Sequence, residues 1–129
     1  MIINKPDVVA EVTEAFLQYE KALTTNDVPM IDHLFWNNPQ TLRYGPNGTL
    51  LGHAALSAFR KNRDTTGVNR TLKNTVITTF GTDFAVANTE SDRPGESTTG
   101  RQSQTWVRME NGWKIVSAHV SDEPLLNET

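Results

Sequence analysis

The sequence predicts an α+β domain, with helices gathered in the first half and laid on one face of a curved antiparallel sheet built from the second half. Three observations lead there. Apolar residues at Val8, Val12, Phe16, Tyr19 and Leu23 recur in steps of three and four, the stripe of an amphipathic helix. From Arg70 onward, runs of alternating character are separated by Gly81-Thr82-Asp83, Pro94-Gly95 and Asn111-Gly112, each a turn signal between strands. The length, 129 residues, fits one domain, taken as 1–129, with one core.

The first helix opens at Pro6 or Asp7 and ends in Thr24-Thr25-Asn26-Asp27, with Val9 and Ala15 widening its apolar stripe and Glu11, Glu14, Gln18 and Lys21 opposite. Pro29 suits the first turn of a second, short helix capped by Asn26 or Asp27, which carries Met30, Ile31, Leu34 and Phe35 towards Trp36. Asn37-Asn38-Pro39 stops it. Thr41 to Tyr44 and Thr49 to Leu51 flank Gly45-Pro46-Asn47-Gly48, a hairpin signal. A third helix is expected over His53 to Arg63, with Leu56 and Phe59 inward and Arg60, Lys61 and Arg63 outward. Strands are expected over 70–80, 84–92, 100–109 and 113–121, with 92–99 a surface loop. A sheet curled about a long helix leaves a cone with a pocket at its open end.

Strict alternation puts Trp113, Ile115, Ser117, His119 and Ser121 on one face of the last strand, and Lys114, Val116, Ala118 and Val120 on the other. Neither face is plainly solvated, so the second is expected to meet another subunit in a homodimer. On the preceding strand, Arg101-Gln102-Ser103-Gln104 is a polar run in a central position. It reads either as a solvated margin of the sheet or as the lining of a polar pocket.

Composition excludes several classes. Hydrophobic residues make up 36% and charged residues 21%, a globular profile. The net charge of −3 lacks the basic excess expected of a nucleic-acid binder. No run approaches the ~18 apolar residues of a membrane span. The start, Met1 to Asp7, lacks the features of a secretory signal, so the cytoplasm is expected. With no Cys there is neither disulfide nor cysteine nucleophile. His33, His53 and His119 are isolated and no ligand spacing appears, so no metal is expected. Without a Gly-rich phosphate loop, no nucleotide cofactor is expected either, and no Ser sits in a nucleophile elbow.

The string Gly100-Arg101-Gln102-Ser103-Gln104-Thr105-Trp106-Val107-Arg108, followed by Asn111-Gly112-Trp113-Lys114-Ile115-Val116-Ser117-Ala118-His119-Val120-Ser121, resembles the last hairpin of the nuclear transport factor 2-like, or SnoaL-like, superfamily. More narrowly it resembles the AtzH-like family, which includes the HpxZ proteins named for oxalurate catabolism. Phe16-Leu17-Gln18-Tyr19-Glu20 and Leu42-Arg43-Tyr44-Gly45 add to the likeness. The resemblance implies an NTF2-like cone, a pocket between sheet and first helix, commonly a dimer, and a link to ureide or triazine nitrogen breakdown beside amidases, one of which is a candidate partner. In one branch a Tyr on the first helix and an Arg on the first strand decarboxylate a carboxylated urea; Tyr19 and Arg43 occupy the matching positions.

Each candidate has an ordinary structural reading too. Tyr19 lies on the helix's apolar stripe and could be a core tyrosine with a satisfied hydroxyl; a hydroxyl under a pocket could instead deliver a proton. Arg43 could point outward with Tyr44 inside; turned inward it calls for a carboxylate. His119 and Ser121 are expected to share the pocket wall with Gln104, with Trp36 at the mouth, as substrate-binding groups, though His119 could be a satisfied core histidine. Glu90 and Asp92 correspond by strand location to the inward acids of steroid isomerases, but their surroundings do not match. Two functions stay open: a cofactor-free decarboxylase acting on a ureido acid, and a ureido-acid-binding or amidase-accessory protein without chemistry.

Overall fold

In the computed structural model, which describes residues 1–63 and 68–124, three helices pack on a six-stranded sheet. The expected domain span runs on to 129; residues 125–129 lie outside the described ones. Helix α1 spans Pro6–Thr24, α2 Val28–Leu34 and α3 His53–Asn62. The strands are β1 Leu42–Gly45, β2 Gly48–Leu51, β3 Thr71–Phe80, β4 Phe84–Asp92, β5 Thr98–Met109 and β6 Gly112–Pro124. The loop expected over 92–99 shrinks to the five residues between β4 and β5. Asp122 and Glu123 therefore extend the last strand, paired with Gly100 and Thr99, rather than leaving it.

The stripe read from the sequence is the buried face of α1: Val8, Val12, Ala15, Phe16, Tyr19, Ala22 and Leu23. Pro6 supplies the first turn. Asn26, in the left-handed region at φ 54°, turns the chain into α2, whose amino end is capped by the Asp27 carboxylate accepting from Met30 N. The same core cluster holds Trp106 and Ile115, both with no exposure, and the small residues Ala85 and Ala87.

The strand order is β2-β1-β6-β5-β4-β3. The four long strands form the expected antiparallel meander. The hairpin adds to it on the far side of β6, and β1 runs parallel to β6, so the sheet is mixed. This placement sets Arg43 opposite Ala118 and Tyr44 opposite His119.

One irregularity changes which side chains see the interior. Between β5 and β6, Trp106 pairs with Ile115 and Thr105 with Ser117, leaving Val116 as an extra residue. A bulge of this kind reverses the alternation beyond it. Trp113 and Ile115 face inward before the bulge, and Ala118 faces inward after it. Ser117, His119 and Ser121 turn outward and are exposed. The expectation that His119 and Ser121 share a face with Ile115 is corrected accordingly. So is the assignment of Ala118 to an outer dimer face, since Ala118 is an interior residue.

Candidate functional site

The interior between α1, α3 and the sheet is organised by arginines. Tyr19 is 5% exposed, packs edge-on to Phe35 at 5.8 Å between ring centroids, and accepts a hydrogen bond at its hydroxyl from Arg60 Nη2 at 3.1 Å. Arg60 is itself only 4% exposed. It lies one turn beyond the buried Leu56 on the inward face of α3, although the sequence reading placed it outward. The i, i+4 spacing from Leu56 was the available signal. Arg63 follows at the end of α3, half-buried, with Nη2 donating to Asn26 Oδ1 at 3.2 Å.

Arg43 turns inward, as its place in the alternation of β1 allows, while Tyr44 stands outside against His119 with ring centroids 5.7 Å apart. The guanidinium folds back over Gly45 so closely that a Cβ there would stand 2.7 Å from Nη1. It also lies 5.5 Å from the ring centre of Phe59, and Arg60 lies 5.6 Å from the same ring.

Arg43 and Arg60 lie over the same Phe59 ring, so their charges act on one another. Arg43 is held below the usual arginine range, first by burial and then by the positive charge of Arg60, with Tyr19 acting in the opposite sense and Arg63 adding to the lowering. Arg63 is lowered for the same two leading reasons. Among the described residues, no carboxylate forms an ion pair with Arg43, Arg60 or Arg63. The buried Nε atoms of Arg60 and Arg63 have no hydrogen-bond partner. Among the described residues these three guanidinium groups gather around one phenol with no carboxylate partner, and planar carboxylates match their forks.

A fourth arginine is neutralised. Arg70 donates to Glu20 from Nη2 at 2.6 Å and from Nε at 2.9 Å, and to Gln102 Oε1 at 3.1 Å. The sequence reading named Gln102 only within the polar run that could line a pocket, and Arg70 only as the start of a strand. Gln104 does face inward and is 3% exposed, and its oxygen accepts from Trp106 Nε1 at 2.9 Å. The polar run of β5 is thus a lining on its even positions, while Arg101 and Ser103 are exposed on its odd ones.

Trp36 lies elsewhere. It borders a cleft of about 600 Å3 with His33, Met109 and Lys114, on the segment that leads from α2 to β1. Lys114 is buried there, donating to the His33 carbonyl at 2.6 Å, and desolvation lowers it from the usual lysine range. The structure therefore brings together Tyr19, Arg43 and Gln104 on the inner side of the sheet, adds Arg60, Arg63 and Gln102, and sets Trp36, His119 and Ser121 apart. Glu90 is on the outer face, taken up by Asn74 and Arg101, not an interior acid. Among the described residues, no cluster of His, Asp and Glu could hold a metal ion.

That Arg60 has no carboxylate partner among the described residues makes a stability prediction. Arg60→Met removes one of three mutually repelling guanidiniums. Removing a buried charge that has no carboxylate partner relieves its desolvation cost, offset by the ~1 kcal/mol of the bond to Tyr19. Urea denaturation should show a variant at least as stable as the wild type; a loss of more than ~2 kcal/mol would mean that Arg60 holds the fold together.

A conical mixed sheet with a polar interior under its first helix defines the NTF2-like class, whose fold and lining suit a small-molecule-binding protein. Within that class the chain belongs to the AtzH-like family, whose model matches residues 1–124. A DUF3225-family protein of unknown function from Pectobacterium atrosepticum is 54% identical, with a TM-score of 0.91 and coverage of 93% of this chain and 94% of that one. A cystatin-like fold protein from Burkholderia xenovorans is 44% identical, with a TM-score of 0.93 and coverage of 98% and 99%. An NTF2-like superfamily protein from Salmonella enterica is 26% identical, with a TM-score of 0.70 and coverage of 95% and 94%. The search of curated proteins found no match. No helix among the described residues is long and apolar enough to cross a membrane.

Proposed function

We propose that the cone interior binds a ureido carboxylate and removes carbon dioxide from its nitrogen-bound carboxylate without a cofactor. The observation that supports this most is the trio Arg43, Arg60 and Arg63 near the Tyr19 hydroxyl, a trio with no carboxylate partner among the described residues. Arg43 clamps the carboxylate with two parallel N–H bonds. Because Arg60 already donates to the phenol oxygen, the Tyr19 proton is left to point at the ligand. As the bond between nitrogen and the carboxylate carbon breaks, its electron pair stays on nitrogen, which takes the Tyr19 proton, and carbon dioxide departs. The phenolate left behind faces Arg60 until water returns the proton. Such carbamates lose carbon dioxide readily, so a few kcal/mol of transition-state help is enough.

The test is incubation of the protein with 1,3-dicarboxyurea generated in place by an amidase, and separately with allophanate, following carbon dioxide. Release faster than the spontaneous rate from at least one is expected. Binding without acceleration would instead favour a carrier of ureido acids.

We also propose that the outer sheet face mediates a homodimer. Leu51, Val76, Phe84 and Tyr44, four of the eight exposed large hydrophobic residues, project from strands on that side. Ser117 lies among them, outward and exposed. Light scattering at micromolar concentration should give a dimer for the wild type and a monomer for Ser117→Arg, since a charge in a buried interface is costly. A monomeric wild type would refute the arrangement.

A further inference from the structure

The interior holds one amide whose orientation is set from outside the arginine trio. Glu20 anchors Arg70 through both carboxylate oxygens, and Arg70 Nη2 donates to Gln102 Oε1. With its oxygen engaged by a guanidinium, the Gln102 amide must present its nitrogen on the other side, because the reverse orientation would set donor against donor. Gln102 is 7% exposed, and its Nε2 has no hydrogen-bond partner. A buried donor in that state needs an acceptor.

Its place in the sheet says where that acceptor lies. Arg43, Ala118 and Gln104 form one inward row across β1, β6 and β5. Gln102 stands one inward step along β5 from that row, opposite Val120. Ala118 is small, so the wall between Arg43 and the two glutamines is low. Glu20 is the next residue after Tyr19, so the helix position that sets the phenol also sets the relay to Gln102.

We propose that Gln102 is a specificity-determining residue whose amide nitrogen donates to a carbonyl or second carboxylate oxygen of the ligand. This rests on the carboxylate-binding reading above and deepens it. The site then takes carboxylates with a further acceptor, of the acyl-urea kind, and discriminates against simple alkyl carboxylates of equal length. A lone carboxylate satisfies the arginines but leaves the amide unpaired, whereas the ureido carbonyl completes it.

Calorimetric titration with oxalurate and with pentanoate, which share a chain of five atoms, tests this on the wild type, Gln102→Met and Arg43→Met. Oxalurate should bind the wild type more tightly than pentanoate. Gln102→Met should weaken oxalurate roughly three- to tenfold and leave pentanoate unchanged, whereas Arg43→Met should weaken both. Gln102→Met removes an unpaired buried donor but also the oxygen that accepts from Arg70 Nη2, so its melting temperature should fall by no more than the loss of one hydrogen bond explains. Should it fail to fold, Gln102→Glu keeps the shape and sets an acceptor where the donor stood, with a larger loss of oxalurate expected. Equal losses for both ligands, or wild-type oxalurate affinity in Gln102→Met while Arg43→Met has lost it, would overturn the role of Gln102 and leave the carboxylate reading standing. A wild type that binds neither ligand would overturn the carboxylate reading and this inference together. Gln102 also borders a recess of about 20 Å3 with Arg70, Ser91 and Gly100, room for one water. A crystal structure with oxalurate should show Nε2 on a ligand oxygen; an ordered water on Nε2 instead would overturn the proposal.

Discussion

Replacing Tyr19 by Phe is expected to lower carbon dioxide release by roughly 10²–10⁴-fold, the usual loss when a positioned general acid is removed. The change deletes one oxygen and keeps the ring that packs against Phe35. Binding should therefore weaken by no more than about one hydrogen bond, ~0.5–1.5 kcal/mol. The separation of the two effects is the diagnostic. A protein that only carries its ligand would show the second without the first. The variant leaves Arg60 without its hydroxyl acceptor, so circular dichroism and a denaturation curve should accompany the rates. Equal rates in wild type and variant would remove Tyr19 as the acid.

Arg43→Lys is expected to weaken carboxylate binding by about 1.5–3 kcal/mol, the worth of hydrogen bonds to a charged group, or roughly 10- to 150-fold. The charge is kept, so long-range attraction survives, but the planar fork that meets two carboxylate oxygens is lost. Gly45→Ala probes the same group without altering it. The new Cβ would stand within 2.7 Å of Nη1, so the guanidinium must move while the hairpin persists. Titration of both variants with oxalurate should show Gly45→Ala intermediate between wild type and Arg43→Lys. Wild-type affinity in Arg43→Lys would mean that the ligand sits elsewhere.

The sequence made Tyr19 and Arg43 accessible for different reasons. Tyr19 follows from helical spacing, which α1 keeps over its whole length. Arg43 is singled out by the likeness of Leu42-Arg43-Tyr44-Gly45; the short alternation leaves its direction open, and the pairing of β1 with β6 settles it. His119 and Ser121 were misplaced because alternation fails silently at a bulge: Val116 is an ordinary strand residue, and nothing in its type announces that it is unpaired. Arg60 was misplaced for the opposite reason. Its type suggested solvent, and its spacing from Leu56, which suggested burial, was outweighed. Gln102 could be seen as part of a polar run, but its relay through Arg70 to Glu20 joins β5, β3's leading residue and α1, a contact 50 residues apart that no local pattern contains. Trp36 was expected at the mouth of the pocket, yet its backbone N–H donates to the Ile115 carbonyl and fixes it beside the other cleft.

The charge distribution of this molecule is inverted. The chain as a whole carries −3, while the guanidinium of Arg60 is buried with no carboxylate partner among the described residues, so the charge outside it is more acidic than the net value. A bound dianion would act as the counter-ion that the folded core lacks, and folding and occupancy become linked. Ligand at a hundred times its dissociation constant adds about 2.7 kcal/mol to stability, a sizeable share of the total for a domain of this size. Protein synthesised where its ligand is scarce would then unfold, and be degraded, more readily than protein that is loaded. The level of the protein in a cell would follow the supply of the compound it handles, with no regulator beyond the arginines themselves.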